Sequence, residues 1–173
     1  MKRFLLALAA LATVRSVPAL AQKPAGQPVG RFVYVEAKDP ITDENVSSVA
    51  VQAQGATPYL PETLLWRCEK GGGHTVMVDG NLYGYLTVPM VWRFDQRPPQ
   101  SADWAQADSG RVALREGQDA FTAAALGAQR VAVRVTVANQ EKTFIFPLDG
   151  ARAAFAKLPC LAAAVAAPAA AAP

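Results

Sequence analysis

The sequence contains few of the residues from which metal sites and disulfide frameworks are built. It has one histidine and two cysteines in 173 residues, which excludes zinc fingers, sites with several histidine ligands and small folds held by many disulfides. It also has no interior run of the eighteen or more apolar residues that a membrane-spanning helix requires. Since 51% of the residues are nonetheless hydrophobic, the chain has enough apolar material for one core.

The first 21 residues have the layout of a secretory signal peptide. A short basic segment, Met1–Arg3, precedes an apolar segment from Phe4 to Val14, and small residues lead to a cleavage site after Ala21. We therefore expect the protein to be secreted to the periplasm, with no transmembrane segment in the mature chain.

The charge balance changes once this segment is removed. The full chain has 17 Lys and Arg against 14 Asp and Glu, a formal net charge of +3. Lys2, Arg3 and Arg15 all lie in the predicted signal peptide, and without them 14 basic side chains face 14 acidic ones. A neutral domain offers no global attraction for nucleic acid, which we therefore do not expect as a partner.

The rest of the chain predicts a single β-rich domain from residue 30 to residue 160. Residues 22–29, with two prolines, predict an extended leader. Residues 161–173 are nearly all alanine, interrupted by proline and without an amphipathic pattern, and predict a disordered tail.

Alternation of apolar and polar residues, the pattern of half-buried strands, dominates the domain. Helix formers replace it only in Gln118–Leu126, which ends at Gly127, and in Ala151–Leu158. We therefore predict a mainly β fold, an antiparallel β-sandwich with two short α-helices. The predicted strands are Arg31–Lys38, Val46–Ala53, Thr63–Glu69, His74–Val78, Thr87–Asp95, Arg111–Leu114, Arg130–Val137 and Lys142–Phe146.

The two cysteines, Cys68 and Cys160, both lie outside the predicted signal peptide. In an oxidising periplasm such a pair predicts a disulfide, which would fasten the last helix to the third strand. The alternative is two buried free thiols.

Few residues suggest catalysis. His74 follows the glycines 71–73 and could act as a general base with Asp79 nearby, but no serine or cysteine nucleophile accompanies it. We interpret His74 as an exposed histidine at a strand end.

Three carboxylates, Asp39, Asp43 and Glu44, lie close together in the sequence and could hold a hard cation such as calcium. Their spacing lacks the alternation of an EF-hand loop, and capping of turns beside Pro40 explains the first two. We therefore predict no metal and no cofactor.

Arginines occur inside several predicted strands. With Trp66, Trp92 and Val133 facing inward, alternation turns Arg67, Arg93 and Arg134 outward. If their strands share a sheet, the three guanidinium groups could form a patch that binds carboxylates or phosphates. The alternative is a solvated face on which the arginines pair with acids across strands, namely Glu36, Glu69 and Asp95.

A set of short motifs between residues 31 and 160 resembles one bacterial family. In order and spacing they resemble the type VI secretion system-associated proteins of the VasI/TagO-like family and their uncharacterised secreted relatives. The resemblance implies a periplasmic, β-rich, non-enzymatic protein that assists a secretion apparatus in the envelope, and it supplies no catalytic residues. The motifs are Asp39-Pro40-Ile41-Thr42-Asp43, Leu65-Trp66-Arg67-Cys68, Trp92-Arg93-Phe94-Asp95 followed by Trp104, Phe121 with Leu126, Arg134, and Phe146-Pro147-Leu148-Asp149-Gly150 ending at Cys160.

The sequence as a whole therefore predicts a secreted interaction protein whose partner is an envelope or secretion-apparatus protein. Two other functions stay open. One is an envelope hydrolase or its inhibitor, using Asp39 and Asp43 or His74. The other is a periplasmic module that binds a small ligand or the cell wall through the arginine face.

Overall fold

The computed structural model describes residues 26–56, 62–80, 82, 86–107, 110–114, 116–137 and 140–167. The predicted signal peptide, the first four residues of the predicted leader and the last six residues of the predicted tail lie outside the described residues.

The described chain is mainly β, as the alternation predicts, with ten strands and three short α-helices. The strands are β1 (Gln27–Val29), β2 (Phe32–Val35), β3 (Ser48–Gln52), β4 (Thr63–Cys68), β5 (His74–Asp79), β6 (Thr87–Phe94), β7 (Gln100–Gln106), β8 (Arg111–Ala113), β9 (Arg130–Val137) and β10 (Gln140–Pro147). The helices are α1 (Gln118–Leu126), α2 (Ala151–Phe155) and α3 (Ala162–Ala166), with a single 3-10 turn at Pro159–Leu161.

All ten strands belong to one antiparallel sheet, in the order β1-β2-β3-β4-β5-β8-β7-β6-β9-β10. The sheet curls, since the Gln54 N–H just beyond β3 reaches the Ile145 carbonyl of β10 and donates to it at 2.8 Å. The mainly β prediction is confirmed, whereas its sandwich detail is not, because all ten strands belong to one curled sheet. Alternation reports that one face of a strand is buried, but not which sheet that strand belongs to.

The concave face of the sheet encloses the core. Burial alternates through all eight residues of β6, with Val88, Met90, Trp92 and Phe94 facing inward as predicted. Phe121 of α1 packs edge-on against Phe94, with 4.9 Å between the ring centroids. Each such aromatic side chain removes 150–250 Å² from water in round terms, so the aromatic cluster dominates the hydrophobic stabilisation of the fold.

The bounds of the helices agree with the prediction for α1 and differ from it for α2. Helix α1 has the predicted bounds, and the Gly127 N–H closes it by donating to the Ala124 carbonyl. Helix α2 ends at Phe155, three residues earlier than predicted, before the turn that contains Pro159.

The predicted disordered tail is ordered in its first part. Leu161 is 1% exposed and belongs to the core, and α3 follows it directly. The Arg152 guanidinium also donates to the Val165 carbonyl. The prediction rested on the prolines and on the missing amphipathic pattern of the alanines, and it did not consider that Leu161, beside Cys160, is buried in the core.

Two strands have no counterpart in the prediction. In β7 the only large apolar residue is Trp104, which is fully buried, so polar neighbours mask the alternation. Strand β1 comes from the predicted leader and pairs with β2 through three residues.

Candidate functional site

Two of the three predicted arginines lie together on the convex face of the sheet. Arg93 is on β6 and Arg134 is on β9, and these two strands are direct neighbours. Trp92 and Val133, which precede them, are buried in the core, so alternation turns both guanidinium groups outward.

The strand register sets the two arginines on diagonal positions. Arg134 lies opposite Val91, and Arg93 lies opposite Ala132. Diagonal neighbours on one face of a sheet are about 7–8 Å apart, within reach of a single ligand for side chains as long as arginine.

A shallow groove of about 450 Å³ runs between the two arginines. Val91, Ala132 and Ile145 give it an apolar floor, and Pro99 and Thr143 also line it. Val91 is 40% exposed, so part of this apolar floor is open to a ligand. We call this surface, with Arg93 and Arg134, the arginine groove.

The two guanidinium groups of the arginine groove have few partners among the described side chains. Arg134 Nη1 lies 3.6 Å from Glu141 Oε2, and both side chains are more than half exposed. Exposed ion pairs of this kind contribute about 0–1 kcal/mol to stability, so the replacement of Glu141 by a ligand carboxylate has a small free-energy cost. The Arg93 guanidinium makes no hydrogen bond or ion pair with the residues that the structure describes.

Arg130 is a further cation on the same face that the sequence analysis missed. It lies two residues before Ala132 on β9, opposite Pro147 of β10, and is exposed. The signal was present in the sequence, because Arg130 alternates with the inward valines just as Arg134 does.

The third predicted arginine lies elsewhere, which corrects the prediction of a single three-arginine patch. Arg67 is on β4, and β5, β8 and β7 separate it from β6. Its guanidinium pairs with Glu69, with 3.3 Å between Nη2 and Oε1. The prediction was wrong because alternation assigns a face to each arginine but not the order of the strands.

The predicted disulfide between Cys68 and Cys160 is confirmed. The two Cα atoms are 5.6 Å apart, and the bond joins the end of β4 to the turn between α2 and α3. A cleft of about 310 Å³ lies beside it, between the loops that contain Asn45 and Gly72.

Asp39 organises the loop between β2 and β3. Its Oδ1 accepts the backbone N–H groups of Ile41 and Thr42 at 3.0 and 2.9 Å, and its Oδ2 lies 2.7 Å from Lys70 Nζ. The Lys70 ammonium and the Thr42 amide hold the pKa of Asp39 well below its usual value. The observed contacts of Asp39 therefore hold its own turn and pair it with Lys70.

This loop is fastened to the glycine-rich turn between β4 and β5. The Gly71 N–H donates to Glu44 Oε1 at 3.1 Å, and Thr42 Oγ1 donates to Glu44 Oε2 at 3.1 Å. Gly71 has φ +76°, a conformation that L side chains rarely adopt. The glycines therefore form a turn to which the loop between β2 and β3 is hydrogen-bonded through Glu44.

His74 is buried, and its interpretation as an exposed strand-end residue was wrong. Its side chain is 5% exposed, and its Nε2 lies 2.7 Å from Thr122 Oγ1 of α1. The Trp66 Nε1–H donates to the same hydroxyl at 3.0 Å. Since an indole only donates, the Thr122 hydroxyl accepts from Trp66, and the direction of its hydrogen bond with His74 Nε2 is set by the tautomer of the imidazole.

The second ring nitrogen of His74 completes this network. Nδ1 lies 3.7 Å from Asp119 Oδ1, and a hydrogen bond joins the imidazole to the backbone of Gln118. Burial lowers the pKa of His74, against the opposing effect of Asp119 and Gln118. The order of groups is that of a catalytic triad, but the Thr122 hydroxyl is fully buried and bound by Trp66. The contacts of Thr122 with Trp66 and His74 hold α1 against the sheet.

Asp79, considered above as a possible neighbour of His74, does not lie beside it. Asp79 is at the opposite end of β5, where its carboxylate pairs with Arg111 at 3.2 Å. Among the described residues, no group of three or more His, Cys, Asp and Glu side chains is arranged to hold a metal ion.

Comparisons with known proteins identify a similar fold. No family model matches the chain, and no curated protein matches it. A solved structure, that of invasion associated protein B from Bartonella henselae, aligns with a TM-score of 0.55 and 11% sequence identity. The alignment covers 80% of this chain and 97% of that one. At this identity the likeness establishes the fold.

Within the described ranges, no helix has the length and apolarity needed to cross a bilayer. The disulfide is compatible with a periplasmic or extracellular location, since such bonds persist in oxidising compartments.

Proposed function

We propose that this chain is a secreted, non-enzymatic interaction module of the bacterial periplasm. It binds an acidic segment of another envelope protein through the arginine groove. The observation that carries this proposal is the pair Arg93 and Arg134 on neighbouring strands, over an apolar floor, with Arg93 unpaired among the described residues.

The chemistry of the arginine groove favours a protein partner with carboxylates. Guanidinium groups bind carboxylates through two parallel hydrogen bonds, which fixes the orientation of the ligand as well as its charge. The apolar floor adds contact area for the aliphatic part of a peptide. Because the mature domain is predicted to be neutral, this cationic surface is local and does not extend over the whole molecule.

The sequence supports the cellular setting of the proposal. The predicted signal peptide and the disulfide agree with a periplasmic protein. The resemblance to the VasI/TagO-like family makes assistance to a type VI secretion apparatus the most specific version. Invasion associated protein B, the structural neighbour, carries a name that suggests an alternative process for a module of this fold.

The alternative of an envelope hydrolase or inhibitor has less support. Asp39 is held by its own turn and by Lys70, and His74 is buried under α1. A small-ligand or cell-wall module would use the same arginine groove, and the experiments below separate it from a protein partner.

Photo-crosslinking tests the proposal directly. A photoreactive amino acid replaces Val91 in the groove or Val33 on β2, and these two valines are matched in exposure at 40% and 42%. In cells that produce the protein, we expect a protein adduct from position 91 and none at that mass from position 33. Arg93→Glu should abolish the adduct, whereas Arg67→Glu should leave it. Equal adducts from both positions, or an adduct that survives Arg93→Glu, would contradict the proposal.

A further inference from the structure

The relative positions of the two arginines in the groove determine which spacing of carboxylates a ligand needs. Arg134 and Arg93 lie on adjacent strands, and the register offsets them by two residues along the strand direction, since Arg134 faces Val91 and Arg93 faces Ala132. Two residues of a strand advance by roughly 6.6 Å, and adjacent strands lie about 4.8 Å apart.

An extended peptide has the same repeat. Its side chains alternate between two faces, so residues i and i+2 point the same way and are also roughly 6.6 Å apart. Adjacent residues point in opposite directions, so neighbouring carboxylates cannot both face the groove. A peptide lying along β6 and β9 would therefore present one carboxylate to each arginine only from alternate positions.

We infer that the arginine groove binds an extended peptide with two carboxylates at positions i and i+2. This rests on the proposed function and names the class of acidic segment that the groove selects. The first carboxylate binds Arg134 in place of Glu141, and the second binds Arg93. The residue between them points away from the sheet.

The floor of the groove agrees with an extended ligand. The positions opposite the arginines are Val91 and Ala132, whose side chains are short, so a peptide backbone can approach the sheet. A helix with its side chains is about 10–12 Å across, wider than the diagonal between the two arginines, which is about 7–8 Å. Its backbone would stand away from this floor.

Two capped peptides of identical composition isolate the spacing. N-acetyl-Glu-Val-Glu-amide carries alternate carboxylates, and N-acetyl-Glu-Glu-Val-amide carries adjacent ones. N-acetyl-Gln-Val-Gln-amide removes the charge, and inorganic phosphate serves as a small anion without a backbone. Binding is followed by NMR at low ionic strength, through the side-chain Nε–H signals of Arg93, Arg134 and Arg67.

We expect the alternate peptide to bind about 2- to 5-fold more tightly than the adjacent one, the gain from one additional exposed charge pair. Signals of Arg93 and Arg134 should shift, and that of Arg67 should not. Arg93→Gln and Arg134→Gln should each bring the two peptides to equal affinity, while Arg67→Gln should preserve the difference. Backbone spectra of the variants establish that they fold.

The possible results separate the inference from the proposed function. Equal binding of both acidic peptides at Arg93 and Arg134 would overturn the spacing and leave the acidic-partner proposal standing. Phosphate binding tighter than the alternate peptide would overturn the peptide ligand and favour a small anion. If neither acidic peptide shifts either arginine, the spacing and the proposed function both fail.

Discussion

The disulfide between Cys68 and Cys160 should supply a large part of the stability of this fold. The two residues are 92 positions apart, so the bond closes a long loop and restricts the unfolded chain. In the chain-entropy treatment a loop of this length contributes about 4–5 kcal/mol. Domains of ordinary size have a free energy of unfolding of about 5–15 kcal/mol, so reduction should remove a substantial share of it.

The assay is urea unfolding of the oxidised and the reduced protein, followed by tryptophan fluorescence, because Trp66 is fully buried in the folded state. With a urea slope of about 2 kcal/mol per M, reduction should lower the midpoint by roughly 2 M. The slope should also increase, since the unfolded chain without its crosslink exposes more surface. The control is the double variant Cys68→Ala/Cys160→Ala, whose midpoint should not respond to reductant.

A decrease below about 1 kcal/mol, with an unchanged slope, would refute this reasoning. It would mean that the unfolded chain stays compact around Cys68 and Cys160 without the bond, so that crosslinking removes little entropy.

Three further predictions concern the buried network and the Asp39 loop. Thr122→Val should lower the free energy of unfolding by about 2–4 kcal/mol in urea denaturation, because it leaves the Trp66 and His74 ring nitrogens without their buried partner, whereas Thr122→Ser should retain most of the stability. His74 is the single histidine, and burial lowers its pKa, so its contribution to the free energy of unfolding should be present above about pH 6.5 and decrease as the pH falls below that value. His74→Gln should abolish this pH dependence in urea titrations between about pH 5 and 8. A pH dependence that persists in the variant would contradict the assignment to His74. Asp39→Asn keeps an acceptor for the turn but loses the charge opposite Lys70, so it should lower the thermal midpoint near pH 7. The difference from the unmodified protein should begin to shrink below about pH 4, because there the Asp39 carboxylate takes up a proton in the unfolded chain before it does in the folded protein, where its pKa is lowered. A difference that does not decrease as the pH falls below about 4 would contradict the ion-pair explanation.

The local elements of this fold were largely predictable from the sequence. Strand β6 and helix α1 lie where the alternation and the helix formers predict them. A half-buried strand or helix needs apolar residues at regular intervals, and that period can be seen in the sequence. Strand β7 was missed, since its one buried aromatic residue, Trp104, stands among polar neighbours.

Long-range arrangement was less predictable, and the arginines show why. The inward positions of Trp92 and Val133 correctly turned Arg93 and Arg134 outward, but the same argument joined Arg67 to them. Strand order depends on which hairpins pair across the whole sheet, and no residue near Arg67 encodes that information.

The burial of His74 depends on a similarly distant contact. A histidine that follows three glycines has the sequence surroundings of a surface turn. It is buried because α1, more than forty residues later, places Thr122 against it, a separation of 48 positions. The disulfide between Cys68 and Cys160 was predictable despite the distance between them in the sequence, since two cysteines in a chain that is predicted to be secreted allow one pairing.

We propose the arginine groove as a binding surface for acidic peptides. The most direct measurement is an NMR titration of the full chain with N-acetyl-Glu-Val-Glu-amide at low ionic strength, repeated at high salt. We expect chemical-shift changes centred on Arg93 and Arg134 that become weaker at high salt, with the Arg67 signal unchanged. Shifts of equal size at Arg67, or no shift at Arg93 and Arg134, would contradict it.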